Sequence, residues 1–265
     1  MFYVDSHCHL NIDFYENDLE EVANRAFNEN VKLILTIGTN LKDSINCIKV
    51  AEKFDFVYAT VGWHPHDTKN INGFKDILEI MKLAKENKKV VGIGEIGLDF
   101  FKNYSPHDVQ EKYFRMQINV ARELNLPIII HDRNAHEKVY KILKEEKAHE
   151  VGGVFHCYSG DYEFAKKIFD INFIVSFPGT ITFKKNKQKA ADLIKKIPLD
   201  KFLTETDAPF LTPEPYRGKR NEPAYVKYVV KKIAEVKGLN EEEVCEAVIK
   251  NMKVLFKRIN STLKN

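Results

Sequence analysis

Eight times along the chain, a short apolar run rich in Val, Ile and Phe is followed by a longer charged segment. The runs occupy residues 2–6, 32–38, 57–62, 90–95, 128–132, 153–157, 173–177 and 202–207. The charged segments carry helical periodicity at 19–28, 45–53, 74–86, 109–124, 135–145, 163–169 and 189–196. Strands that are apolar throughout are buried on both faces, as in a parallel sheet covered by helices. Strand and helix in alternation build βαβ units, so the fold class is α/β. Eight units in 265 residues match a (β/α)8 TIM-type barrel, whose usual size is about 250 residues. Residues 222–259 then read as one or two closing helices. A doubly wound sheet usually needs fewer strands, and its dinucleotide-binding form carries GxGxxG after the first strand, which is missing here. No linker or composition break divides the sequence, so residues 1–265 read as a single domain.

Bulk charge narrows the function. The chain has 41 basic and 38 acidic residues, a net charge of +3. Such balance argues against coating nucleic acid by charge alone, and any polyanion affinity must be local. Cys8, Cys47, Cys157 and Cys245 are scattered and form no CxxC pair. That disfavours a disulfide framework or a structural zinc site and suits free thiols in a reducing compartment. No signal peptide is visible, and no apolar run approaches the roughly 20 residues of a membrane span. A cytoplasmic protein without a membrane role is expected, and nothing calls for an obligate protein partner.

In such a barrel the chemistry sits at the C-terminal ends of the strands. The first run ends in His7 and His9, the third in His64 and His66, and the fourth in Glu95 to Asp99. The fifth ends in His131 and Asp132, the sixth in His156 and the eighth in Glu205 and Asp207. A single strand-end histidine is more often an ordinary hydrogen-bonded residue than a ligand. His7 and His9 make a stronger signal, because residues i and i+2 of a strand point the same way. Cys8 between them then faces the opposite side, as a small buried hydrophobe. Independent strands delivering His and carboxylate groups to one rim suit zinc, manganese or magnesium. Four histidines and two carboxylates exceed the needs of one ion. A pair of divalent ions with Glu95 as the bridge is the economical reading, and such pairs serve hydrolysis.

The motifs DSHCHL (5–10), VGWHPH (61–66), GEIGLDF (94–100), IIIHDR (128–133) and HCYSG (156–160) follow one another along the chain. They continue as SFPGTITFK (176–184), TETDAPFL (204–211) and RGKRNEP (217–223). Together they resemble the TatD-related metal-dependent hydrolases of the amidohydrolase-like barrel superfamily. The resemblance implies a metal-dependent deoxyribonuclease acting on DNA or another phosphodiester. It implies His7 and His9 as ligands of one ion, Glu95 as the bridge, and His131 and His156 on the second ion. Asp207 would bind the first ion and act as base for the attacking water. His64 would contact phosphate. Strand four ends in Glu95 and offers no lysine for carboxylation, which fits the TatD-like subgroup.

Other rim residues remain open. Glu205 either orients a neighbouring group or a water, or supports the barrel as a hydrogen-bonded carboxylate. Arg217 and Arg220 lie in the loop after the last strand, where this fold often binds phosphate. Trp63, Phe100, Tyr158, Phe177 and Tyr216 are candidates for stacking bases, with burial in the barrel wall as the plainer role. His66 reads as a solvent-facing loop residue, and the lysine-rich run 184–189 as a solvated helix start. A barrel-end pocket accepts a single strand or a frayed end more readily than a duplex. The same ions would also serve a small ester, amide or aminoacyl linkage, and a non-enzymatic metal-binding protein is the remaining alternative.

Overall fold

The computed structural model describes residues 1–261. Its eight strands are β1 (Tyr3–Cys8), β2 (Val31–Ile37), β3 (Val57–Val61), β4 (Val90–Asp99), β5 (Ile128–Arg133), β6 (Gly153–Phe155), β7 (Phe173–Phe177) and β8 (Phe202–Thr204). They form one sheet in chain order, every neighbouring pair parallel. The Asp207 amide donates to the His7 carbonyl at 2.9 Å, and the His9 amide donates to the Ala208 carbonyl at 2.7 Å. These bonds bring β1 against the segment after β8 and nearly close the barrel. The (β/α)8 expectation is met.

Helices alternate with the strands: α1 (Leu19–Asn28), α2 (Leu41–Lys53), α3 (Phe74–Glu86), α4 (His107–Leu124), α5 (His136–Glu145), α6 (Tyr162–Phe169) and α7 (Lys187–Lys196). Two more, α8 (Val226–Lys237) and α9 (Glu241–Leu255), follow β8. Each turns an apolar stripe inward, such as Val22, Ala23 and Ala26 of α1. The strands supply the other half of the core, including Leu33, Ile34, Leu35, Ile128, Ile129 and Ile130. Fully burying one such side chain contributes about 1.5–3 kcal/mol. The closing helix α9 is tied to the barrel base through Asn251, whose amide donates to the Leu199 and Phe202 carbonyls at 2.8 Å. No helix among the described residues is long and apolar enough to cross a membrane.

Element ends depart from the sequence expectation where side chains intervene. α2 starts four residues early, because the Asn40 side chain caps it by accepting from the Asp43 amide at 2.9 Å. β4 runs past Glu95 to Asp99, with a register shift against β5 between Ile93 and Ile96. β8 stops at Thr204, and Asp207 adopts a left-handed conformation (φ 56°) outside the strand.

Candidate metal centre

Closure of the barrel assembles the first part of the site. His7 lies within β1 and His9 just beyond it. Asp5 carries this geometry across the seam: its carboxylate accepts from the Thr206 amide (2.9 Å), the Thr206 hydroxyl (2.5 Å) and the His7 amide (3.3 Å). Asp207 is thereby held over the two imidazoles. Its Oδ1 lies 3.5 Å from His9 Nε2 and 3.7 Å from His7 Nε2. Cys8 points away, its thiol donating to the Leu35 carbonyl at 3.4 Å.

β4 brings in the central carboxylate. A Cβ on Gly94 (φ 155°) would lie 2.6 Å from Ile129 Cβ, and one on Gly97 (φ 145°) would lie 2.0 Å from the His131 carbonyl oxygen. Only glycine lets β4 run this close to β5, and the close approach sets Glu95 against His131. Glu95 Oε1 lies 2.6 Å from His131 Nδ1 and 2.9 Å from His156 Nε2. Its Oε2 lies 3.4 Å from His7 Nε2 and 4.0 Å from His9 Nε2. One carboxylate therefore stands between two pairs of imidazoles, one pair at each oxygen.

Behind His9, His131 and His156 stand oxygen atoms of the protein. His9 Nδ1 lies 3.2 Å from the Ile37 carbonyl. His131 Nε2 lies 3.2 Å from Asp99 Oδ2, and His66 Nε2 lies 2.7 Å from the same oxygen. His156 Nδ1 stands 3.5 Å from Glu205 Oε1. Glu205 is fully buried and accepts from the Ser176 hydroxyl and the Cys157 amide, both at 2.6 Å. A carboxylate behind an imidazole fixes its tautomer and orientation and raises its basicity toward a metal.

Asp99 had no assigned role in the sequence reading, although it shares strand parity with Glu95. A second signal was the pair of glutamines, Gln110 and Gln117, about two turns apart on one face of α4. Gln110 accepts from the Asp99 amide at 2.9 Å, and Gln117 accepts from the Trp63 amide at 2.7 Å. Both are fully buried. In an amphipathic helix such positions are otherwise apolar, so a buried amide there marks a loop being pinned.

Charge and hydrogen bonding favour a bound cation. Burial works against the charged forms of Glu95 and Asp207, but the surrounding histidines outweigh it and hold both carboxyls below their ordinary values. Burial pushes His64 down to about 4, helped by His131, so it is neutral at neutral pH. Both ring nitrogens of His7 are buried without a hydrogen-bond partner. Leaving buried polar atoms unpaired is costly, and a metal ion between His7, His9 and Glu95 would satisfy the inward nitrogen. The groups His7–His9–Glu95 and Glu95–His131–His156 each place three donor atoms within 4.8 Å of one another. All donors are imidazole or carboxylate, a set that suits Zn²⁺, Mn²⁺ or Mg²⁺.

Other expected residues fall elsewhere. His66 is held by Asp99 rather than facing solvent. Arg220 is turned away from the centre: its guanidinium donates to both Asp18 carboxylate oxygens at 2.8 and 2.5 Å. A fork already filled by a carboxylate is not free for phosphate, so the expected contact is replaced by an ion pair. Arg217 is exposed, 4.5 Å above the Phe183 ring. Trp63, Tyr158 and Phe177 are buried in the wall, and Tyr216 stacks on Tyr225 at 4.7 Å, which removes their faces from bases.

The barrel and its histidine–carboxylate rim define a metal-binding α/β-barrel hydrolase. A family model described as "TatD related DNase" matches residues 4–257. The "Uncharacterized metal-dependent hydrolase YabD" of Bacillus subtilis is 48% identical over 256 residues, covering 97% of this chain and 99% of that one. The "Uncharacterized metal-dependent hydrolase YcfH" of Escherichia coli K12 is 38% identical over 259 residues, covering 97% and 96%. The crystal structure of the TatD homologue YjjV from Escherichia coli superposes with a TM-score of 0.89 at 28% identity, covering 96% and 98%. The chain belongs to the TatD-related DNase family and is a metal-dependent hydrolase.

Proposed function

We propose that the protein is a divalent-metal-dependent phosphodiesterase acting on DNA, on single strands or from ends, with two ions bridged by Glu95. The observation that carries this reading is the placement of the Glu95 oxygens, each turned to a different imidazole pair. His7, His9 and Asp207 would hold one ion, and His131 and His156 the other. Divalent ions supply Lewis acidity there, making water acidic near neutral pH and opposing charge that builds on a reacting oxygen. Asp207 lines the cavity, with 14% of its side chain exposed. Its carboxylate takes the proton of the attacking water and returns it to the leaving oxygen.

His64 supplies a neutral donor. Its Nδ1 accepts from the His66 amide at 3.1 Å, so in the neutral ring Nε2 carries the proton and faces the centre. That N–H suits a phosphoryl oxygen. Glu205 acts through His156 and is a positioning residue. Arg217 stays free for more distant phosphates. Membership of the TatD-related DNase family supports DNA as substrate, while its relatives, known as metal-dependent hydrolases, leave the bond open. Four cysteines without a disulfide support a reducing, cytoplasmic setting.

The test is degradation of end-labelled single-stranded DNA by protein loaded with Mg²⁺ or Mn²⁺, with carboxylic esters and amides, including aminoacyl linkages, run in parallel. Shortening of the labelled strand is expected. Cleavage of esters or amides with DNA and simple phosphodiesters left intact would overturn the reading.

A further inference from the structure

Four large aromatic side chains stand exposed near the barrel mouth: Phe14 (60%), Phe101 (53%), Tyr104 (52%) and Phe210 (47%). They form two groups. Phe210 follows β8 and Phe14 follows β1, and their rings meet edge to face at 6.0 Å. Phe210 also meets the ring of His9 at 6.2 Å, so this group adjoins the His7–His9–Asp207 half of the centre. Phe101 and Tyr104 follow β4, beside Arg133 at the end of β5. The Arg133 guanidinium lies 4.0 Å over the Phe101 ring, and Lys102 Nζ lies 5.8 and 5.9 Å from the Phe101 and Tyr104 rings. Tyr104 meets His66 at 4.7 Å, so this group adjoins the His131 half. Between them opens a cavity of about 920 Å³, lined by Phe210 and His9 on one side and by Lys102, Tyr104 and Arg133 on the other.

Lys102 and Arg133 are exposed and, among the described residues, have no carboxylate within ion-pair distance. They differ in this from Arg25, Arg115, Arg122 and Arg220, which are all paired. Exposed rings alone would suit any apolar ligand, and free cations alone any anion. Rings and free cations side by side match a polymer that carries one flat base for each phosphate. Paired bases in a duplex keep their faces stacked inside the helix, so only an unpaired strand presents them.

We propose that the two walls form a clamp for single-stranded nucleic acid. One base stacks on the Phe210–Phe14 wall, the phosphodiester to be cut lies over Glu95, and the chain continues past Lys102 and Arg133 towards Phe101 and Tyr104. The clamp rests on the phosphodiesterase reading for its orientation and for the single strand, and adds to it the residues that grip that strand. The sequence reading missed these rings because Phe14, Phe101, Tyr104 and Phe210 lie outside strands, where no periodicity gives their direction.

The test is fluorescence anisotropy with a labelled oligothymidylate of about eight nucleotides, a length within the usual site sizes for single strands. It is run on Mn²⁺-loaded full-length protein in an Asp207→Asn background, so that binding is read without turnover. Phe210→Ala and Lys102→Ala are each expected to weaken binding about tenfold, with Phe210→Trp restoring it. An abasic nucleotide at the stacked position should weaken the parent similarly and add little to the loss in Phe210→Ala. With Asp207 present, the parent protein should hydrolyse the small phosphodiester methyl p-nitrophenyl phosphate. Binding within about twofold of the parent for both variants overturns the clamp, since a stacked base contributes more than that. Equal binding of a neutral aromatic ester overturns it too. A protein that hydrolyses the small phosphodiester but does not bind the strand loses the clamp and keeps the phosphodiesterase reading. One that binds the strand with these dependences but hydrolyses no phosphodiester loses that reading and keeps the clamp.

Discussion

Replacing Asp99 by asparagine should weaken metal binding at the His131 half without unfolding the barrel. Asp99 Oδ1 accepts from the Phe101 and Lys102 amides, both at 2.9 Å, and Oδ2 faces His66 Nε2 at 2.7 Å and His131 Nε2 at 3.2 Å. An amide of the same shape has one acceptor and one donor end. The two backbone N–H groups require the acceptor, so the new NH2 is turned to the imidazoles. His131 Nε2 then loses its acceptor, and the ring is driven to carry its proton on Nδ1. That is the nitrogen 2.6 Å from Glu95 Oε1, where a ligand lone pair is needed. Removing a carboxylate behind a ligating histidine typically costs about 10–100-fold in metal affinity or activity, or about 1.4–2.8 kcal/mol. Calorimetric titration of metal-free protein with Mn²⁺ should show this loss in one binding step, and hydrolysis at limiting metal should fall with it. Thermal unfolding by circular dichroism checks that the fold persists. Unchanged metal affinity and activity in a folded Asp99→Asn protein would refute the reasoning.

Asp207→Asn should lower turnover by about 10²–10⁴-fold, the usual contribution of a positioned base, with strand binding retained in anisotropy. Arg220→Ala should act on stability rather than on phosphate. Its half-exposed pair with Asp18 contributes up to about 1 kcal/mol, so the melting temperature should fall by about 2–4 °C with KM unchanged. His136→Gln tests the pH dependence of stability. Its hydrogen bond to Asp132, at 2.6 Å, raises the pKa of His136 against the smaller opposing effect of burial. The stability from this pair is complete below the unfolded histidine value of about 6.5 and is lost as pH rises through the higher folded value. The difference in melting temperature between the parent and His136→Gln should therefore shrink on going from mildly acidic to alkaline buffer.

Much of this architecture was legible in the sequence because parallel strands buried on both faces are continuous apolar runs. The one-residue gap between His7 and His9 follows from strand periodicity, and the structure turns both rings to Glu95 and Asp207. Periodicity failed where the chain leaves the strand. Asp207 is aimed by a left-handed backbone and by bonds from β1, neither of which leaves a pattern in its own segment. Arg220 lies in a basic loop that resembles a phosphate site, but its partner Asp18 is distant in sequence and only the closed barrel brings them together. Asp99 and Glu205 were visible as strand-end carboxylates, yet their task depends on which imidazole stands behind them, a question of neighbouring strands.

A stepwise titration of metal-free protein with Mn²⁺, following hydrolysis of end-labelled single-stranded DNA and the electron paramagnetic resonance spectrum together, tests the central claim most directly. A Glu95-bridged pair predicts that activity saturates at the second equivalent and that a spin-coupled spectrum appears with it. Full activity at one equivalent, or two ions that never couple, would contradict it.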